Sequence, residues 1–153
     1  DHVLVAAMEY LSTADLLKVG VTCKHLQSLI YSPTLWANFH LHMERCNLRG
    51  GDDSSMLHRS FCSLASHIPG CIASVAWEMP SCFYQSLFEV AMLNPNIHTL
   101  IIADGSMSSK QITEVCLILP CLESVTFAAC DALADEVLAA LSTLARLTHL
   151  GTF

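Results

Sequence analysis

Charge is what this sequence has least of. Only 14% of its 153 residues are Asp, Glu, Lys or Arg, while 53% are hydrophobic. Disordered chains show the reverse balance, so that class is excluded. Cations are scarcest of all: seven Lys and Arg stand against 14 Asp and Glu, for a net charge of −7. Nucleic-acid binding draws its affinity from cations on phosphates, so no nucleic-acid partner is expected. An anionic membrane surface is disfavoured for the same reason. Long apolar runs are also missing. Spanning a bilayer takes roughly 18 or more such residues, and the best stretches, Val90–Leu93 and Leu117–Leu119, are broken by Asn94 and Pro120. The chain opens on Asp1 and shows no basic, apolar, small-residue leader, so an intracellular location, cytoplasmic or nuclear, is expected. Its length suits one domain or two small ones with a real core.

Signatures of chemistry are lacking too. There is no G-x-S-x-G, no phosphate-cradling glycine loop and no H-E-x-x-H, so no enzyme and no cofactor are expected. Eight cysteines are present, at 23, 46, 62, 71, 82, 116, 121 and 130. An even count in a short secreted chain would suggest disulfides. Here most lie in apolar stretches without a leader, where free cysteine packs as a small hydrophobe, so reduced thiols are expected. Cys62-x4-His67 and Cys116-x4-Cys121 are the nearest candidate ligand pairs, and neither has the layout of a structural zinc site, so no metal is expected.

What is present divides in two. The first part reads as short helices. Val3, Leu4, Ala7, Met8 and Leu11 follow one helical face. Ser12-Thr13-Ala14-Asp15 has the form of a helix start. Thr22 is placed to cap a third helix carrying Leu26, Leu29 and Ile30. Ser32-Pro33 opens a fourth, short helix, because proline fits the first helical position. Residues 41–71 are the least informative. Arg49–Ser55 is turn-like, and Met56 to Ile68 is expected as one helix.

The second part repeats. Ile72, Ile97, Leu122 and Leu147 are spaced by 25 residues. Val75, Leu100, Val125 and Leu150 follow at three residues on, then Trp77, Ile102, Phe127 and Thr152. Between these strand-like segments lie helix-period stretches: Leu87, Val90, Ala91; Ile112, Val115, Cys116; Val137, Ala140, Leu141. Ser108 and Asp131 offer helix starts, and Pro120 a stop. A short strand plus a helix buries its apolar face only against the next copy. The expected fold is therefore a solenoid of parallel strands on one side and helices on the other, a leucine-rich-repeat architecture. The last unit, Leu147–Phe153, ends as a strand. Its open edge is expected to pair with further chain or another partner.

The N-terminal segments carry a resemblance. Asp1–Leu11 resembles the opening helix of an F-box, Thr13–Val19 its Asp-Leu-Leu segment, Val21–Lys24 its Val-Cys-Lys segment, and Ser32–Trp36 its closing Pro-x-Leu-Trp element. The usual opening Leu-Pro is absent, as expected if the chain begins just after it. Residues 72–153 resemble the cysteine-containing leucine-rich repeats that often follow an F-box. The implied organisation is an F-box over 1–40, a helical linker over 41–71, and about four repeats of period 25 over 72–153, the last incomplete. The resemblance implies the substrate receptor of a cullin–RING (SCF-type) ubiquitin ligase. It would bind a Skp-type adaptor, and cullin through it, and present a protein substrate for proteasomal degradation. The rival expectation is a non-catalytic scaffold in which the F-box-like helices cap the solenoid.

Two residue sets follow. Leu4, Leu11, Leu16, Leu17, Leu35 and Trp36, with Val21, Cys23 and Lys24 beside them, are the adaptor-facing candidates. Each also suits packing inside a small helical domain, but the set holds more apolar groups than so short a segment can bury, and Trp is enriched at binding hot spots. By strand alternation, the substrate-facing candidates are Glu78, Thr99, Ile101, Ser124, Thr126, His149 and Phe153.

Overall fold

The structure is a computed structural model that describes residues 2–36, 40–43, 59, 62–103, 105–128 and 134–152. Four helices come first: α1 (His2–Met8), α2 (Thr13–Gly20), α3 (Lys24–Ile30) and α4 (Pro33–Trp36). A strand, β1 (His40–Met43), is the next element. Residues 62–67 form α5. Then strands and helices alternate: β2 (Ser74–Trp77), α6 (Tyr84–Leu93), β3 (Thr99–Ile102), α7 (Ser109–Leu117), β4 (Ser124–Phe127), α8 (Asp135–Ser142) and β5 (His149–Thr152). The five strands form one parallel sheet in sequential order.

The start of α2 follows the Ser-x-x-Asp pattern. The Ser12 hydroxyl accepts from the Asp15 backbone N–H at 3.1 Å and donates to the Asp15 carboxylate at 2.8 Å. Lys18 pairs with the other carboxylate oxygen at 3.0 Å. The third helix is capped one residue later than expected. Cys23, not Thr22, takes the cap position, its sulfur accepting from the Leu26 N–H at 3.5 Å. Thr22 lies in the turn closing α2, where its hydroxyl donates to the Val19 carbonyl at 2.7 Å. Threonine often folds back on local backbone in this way, which removes it from the competition for the cap.

The 25-residue repeat becomes an in-register ladder. Val75, Leu100 and Val125 are Cα partners in turn, as are Trp77, Ile102 and Phe127. All six are buried to 1% exposure or less. The same backbone bonds recur at each copy. The Ala73 carbonyl takes the N–H groups of His98 and Thr99, the His98 carbonyl those of Glu123 and Ser124, and the Glu123 carbonyl those of Thr148 and His149. The expected helix faces also pack inward: Leu87, Val90, Ala91, Ile112, Val115, Cys116, Val137 and Leu141 are buried, while Ala140 is half-buried. Ser108 and Gln111 close a reciprocal capping box at α7. Helix α7 ends at Leu117, three residues short of Pro120. Asp131 lies outside the described residues, and α8 starts at Asp135 with Ala134 at its N-cap and no side-chain cap.

One expectation is corrected by the sheet. Residues 41–71 are not simply a helical linker, because β1 lies at their start and pairs with β2, giving five strands rather than four. His40-Leu41-His42-Met43 alternates with the period of a strand. Leu41 and Met43 are buried and His42 is exposed. The strand escapes the repeat because β1 and β2 partners are 34 residues apart, against 25 for every later pair. Of the helix expected over Met56–Ile68, α5 supplies residues 62–67, with Leu64 and Ala65 buried, and Ile68 just beyond it is buried too. Met56, Leu57 and Phe61 lie outside the described residues.

Candidate binding surfaces

The N-terminal helices separate the adaptor-facing candidates into two groups. Leu16, Leu35 and Trp36 are fully buried, at 0% exposure each. This corrects their assignment to a partner surface. They belong to the chain's own core, and Trp36 is fixed there by its indole N–H, which donates to the Ile30 carbonyl at 2.6 Å. The physical reason is supply: once the sheet and α5 are folded, these helices have a large apolar neighbour to pack against. Leu11 and Leu17 are half-buried against the same core. Leu4, Val21, Cys23 and Lys24 are exposed, Val21 to 84%.

Two further apolar groups stand in solvent that the sequence reading did not assign to a partner: Val3 at 83% and Tyr10 at 91%. The helical face proposed for α1 is therefore mostly outward. Only Met8 on it is buried. A helical period identifies a face but not which body that face meets. Val3, Leu4, Tyr10 and Val21 are thus exposed apolar side chains on α1 and in the turns that follow α1 and α2.

The outward face of the sheet is built from two rows across the strands. One row runs Ser74–Thr99–Ser124–His149 and the other His42–Ala76–Ile101–Thr126–Gly151. Thr99, Ile101, Ser124 and Glu78 are half-buried and His149 is exposed. Thr126 is buried, which corrects its place among the exposed candidates. Its side chain leans over Gly151, so that a Cβ at 151 would stand 3.1 Å from its Oγ1. Glycine leaves room for that lean, and the threonine fills it. Phe153 lies outside the described residues. At the other end of the face, His42 Nε2 sits 2.9 Å from Glu78 Oε1, both side chains about two-fifths exposed. A partner reaching this face thus meets small hydroxyls, one central Ile and a polar pair at the β1–β2 end.

The thiols are held in their neutral form where they are enclosed. Burial pushes the Cys116 thiol up to about 12. Burial, and then the Glu89 carboxylate that accepts its S–H at 3.0 Å, does the same to Cys62. A protonated thiol is neither a nucleophile nor a metal ligand. Among the described residues, Cys23, Cys62, Cys71, Cys82, Cys116 and Cys121 are in no disulfide. Burial and the Glu114 carboxylate, at 2.5 Å, likewise raise the Tyr84 hydroxyl. Among the described residues, no three His, Cys, Asp or Glu side chains converge on a metal-sized space. No helix among them is long and apolar enough to cross a membrane.

Against known proteins, residues 1–42 match the F-box-like family. The match covers α1 to α4 and reaches into β1. No curated protein matches the chain. The N-terminal residues thus form an F-box-like domain, followed by a parallel sheet with helices between its strands.

Proposed function

We propose that this chain is the substrate-receptor subunit of a cullin–RING ubiquitin ligase. Its F-box-like domain would bind a Skp-type adaptor, and its sheet, read as a leucine-rich-repeat solenoid, would bind a protein substrate. The observation that carries the reading is the F-box-like match over residues 1–42, together with the exposed Val3, Leu4, Tyr10 and Val21 on those residues. The recurrence of strand, backbone bonds and helix every 25 residues supports the solenoid half. A receptor of this kind is non-catalytic and intracellular. It works by holding substrate at high effective concentration near the ubiquitin-charged enzyme.

The test is co-expression of the chain with a Skp-type adaptor, followed by addition of cullin. The expected result is a complex that recruits cullin. The discriminating variant is Val21→Asp with Leu4→Asp, because both side chains are exposed and their replacement leaves the core alone. It should abolish the complex without lowering the unfolding temperature. Failure of the unaltered chain to form a complex would sink the ligase reading.

One observation favours a second reading. The N-terminal helices are joined to the first strand of the sheet: the Thr13 hydroxyl accepts the His42 N–H at 3.3 Å, and Thr13 itself is buried. Helices placed there also serve to cap the solenoid's first edge. If they do only that, the chain is an interaction scaffold, and a pull-down will show adaptor at most and never cullin.

A further inference from the structure

A cleft of about 260 Å³ lies among α2, α3 and α5. Leu17 and Val21 form one wall, Ile30 and Tyr31 the next, and Arg59 and Ser63 the far side. Its walls are fixed. Gly20 lets α2 approach α3 so closely that a Cβ there would stand 2.9 Å from Ile30 Cδ1. The Tyr31 ring stacks on His67 with centroids 4.3 Å apart and planes at 17°. His67 is in turn held through Nδ1 to the Ser63 carbonyl at 2.7 Å.

The size of the cleft argues against a metabolite. Small-molecule sites usually enclose about 300–1,000 Å³ and bury most of the ligand. A smaller, open cleft suits one or two side chains of a protein partner, which is how interface anchors are seated. Its chemistry is mixed. Leu17, Val21 and Ile30 call for an apolar group. Arg59 is exposed and pairs with no carboxylate among the described residues. Charge along the chain is uneven. Five of the seven Lys and Arg lie in residues 1–71, against six Asp and Glu, while residues 72–153 hold two and eight. An acidic partner is therefore repelled less by the first segment, net −1, than by the second, net −6.

We propose that the adaptor interface extends beyond the matched residues 1–42 onto Arg59 and the start of α5, with this cleft taking an apolar side chain of the adaptor while Arg59 pairs with a carboxylate beside it. The inference rests on the adaptor reading above, which already counts the exposed Val21 among its carrying residues. It adds Arg59 and Ser63, which lie outside the matched residues 1–42. An arginine at the rim of such a site acts mainly through association rate and salt dependence.

The experiment measures binding of the full chain to a purified Skp-type adaptor at low and high salt. Arg59→Glu should weaken binding about tenfold and flatten its salt dependence. Arg59→Gln should fall between that variant and the unaltered chain. Ser63→Trp, which fills the cleft from an exposed position, should weaken binding at both salt concentrations. Thermal unfolding should be unmoved in the Arg59 variants. If the unaltered chain binds and all three variants bind as it does, the interface stops short of α5 and the proposal is overturned while the adaptor reading stands. If Ser63→Trp alone is silent, the cleft is not occupied and the proposal fails in its main part. If the unaltered chain does not bind, the adaptor reading fails first and this inference with it.

Discussion

Removing the Trp36 side chain separates a core residue from an interface residue. The indole is fully buried, and its N–H donates to the Ile30 carbonyl at 2.6 Å. Truncating a buried Trp to Ala costs about 3–5 kcal/mol in lost burial and cavity. Leaving the Ile30 carbonyl without its partner adds about 1–3 kcal/mol. Domains of this size are stable by only about 5–15 kcal/mol, so Trp36→Ala should leave the N-terminal helices at or near unfolding. Trp36→Phe keeps most of the apolar volume and loses the hydrogen bond. Its cost should be nearer about 1–3 kcal/mol. Urea unfolding followed by far-UV circular dichroism measures both, and Trp77 remains as an internal fluorescence probe. Both midpoints should fall, Ala further than Phe. If Trp36→Ala unfolds at the same urea concentration as the unaltered chain yet loses adaptor affinity, Trp36 is a surface anchor and its placement in the core is wrong.

The repeat positions offer a second stability test. Asn94 occupies the place that Leu119 and Leu144 hold in the next two copies, yet it is buried with its Oδ1 accepting the Ile72 N–H at 3.2 Å and its Nδ2 donating to the Val90 carbonyl at 3.0 Å. Asn94→Leu should therefore destabilise by about 2 kcal/mol despite matching its neighbours, because a buried N–H loses its acceptor; an unchanged or higher unfolding temperature would refute this. High pH offers a third. The Cys116 thiol rises from 9.0 to about 12 on folding, so above pH 9 the unfolded chain loses this proton while the folded chain keeps it. Stability contributed by the neutral thiol is thus complete below pH 9 and falls by up to about 1.4 kcal/mol per pH unit towards 12. Cys116→Ala should remove that part of the alkaline slope, and identical slopes for both proteins between pH 9 and 11 would count against it.

The parts of the fold that the sequence discloses are those governed by a period. The 25-residue recurrence places β2, β3, β4 and β5 and sets their register, because each copy must present the same two inward residues to its neighbour. The helix faces between them follow for the same reason. Local hydrogen bonding discloses the Ser12 and Ser108 caps. It misleads at Thr22, where two polar acceptors compete for adjacent roles and the sulfur of Cys23 takes the cap. The β1 strand is hidden because two alternations are too few to show a period and its spacing from β2 departs from the repeat. Exposure among the N-terminal apolar residues is half disclosed. Sequence shows that the first 40 residues carry surplus apolar groups, but which of them are surplus depends on the body they pack against. Leu16, Leu35 and Trp36 find that body in the sheet and α5, whereas Val3, Leu4, Tyr10 and Val21 do not.

That division has a consequence for how the two halves can work together. The buried cluster runs without interruption from Met8 through Leu35, Trp36 and Leu41 to Phe127 and Leu141. The Thr13–His42 bond crosses the same junction. The helices are thus packed onto the first edge of the sheet rather than tethered to it by a flexible linker. A flexible tether would let a bound substrate sample a wide volume, and its effective concentration at any one point would fall with tether length. A shared core instead fixes the outward rows of the sheet at a set distance and angle from Leu4, Val21 and Lys24. On the ligase reading, this rigidity selects which part of a bound substrate reaches the ubiquitin-charged enzyme. On the scaffold reading, the same packing closes the β1 edge against other strands. The junction serves both, so the exposed apolar groups of α1 and α2, and not the junction, are where the two readings part.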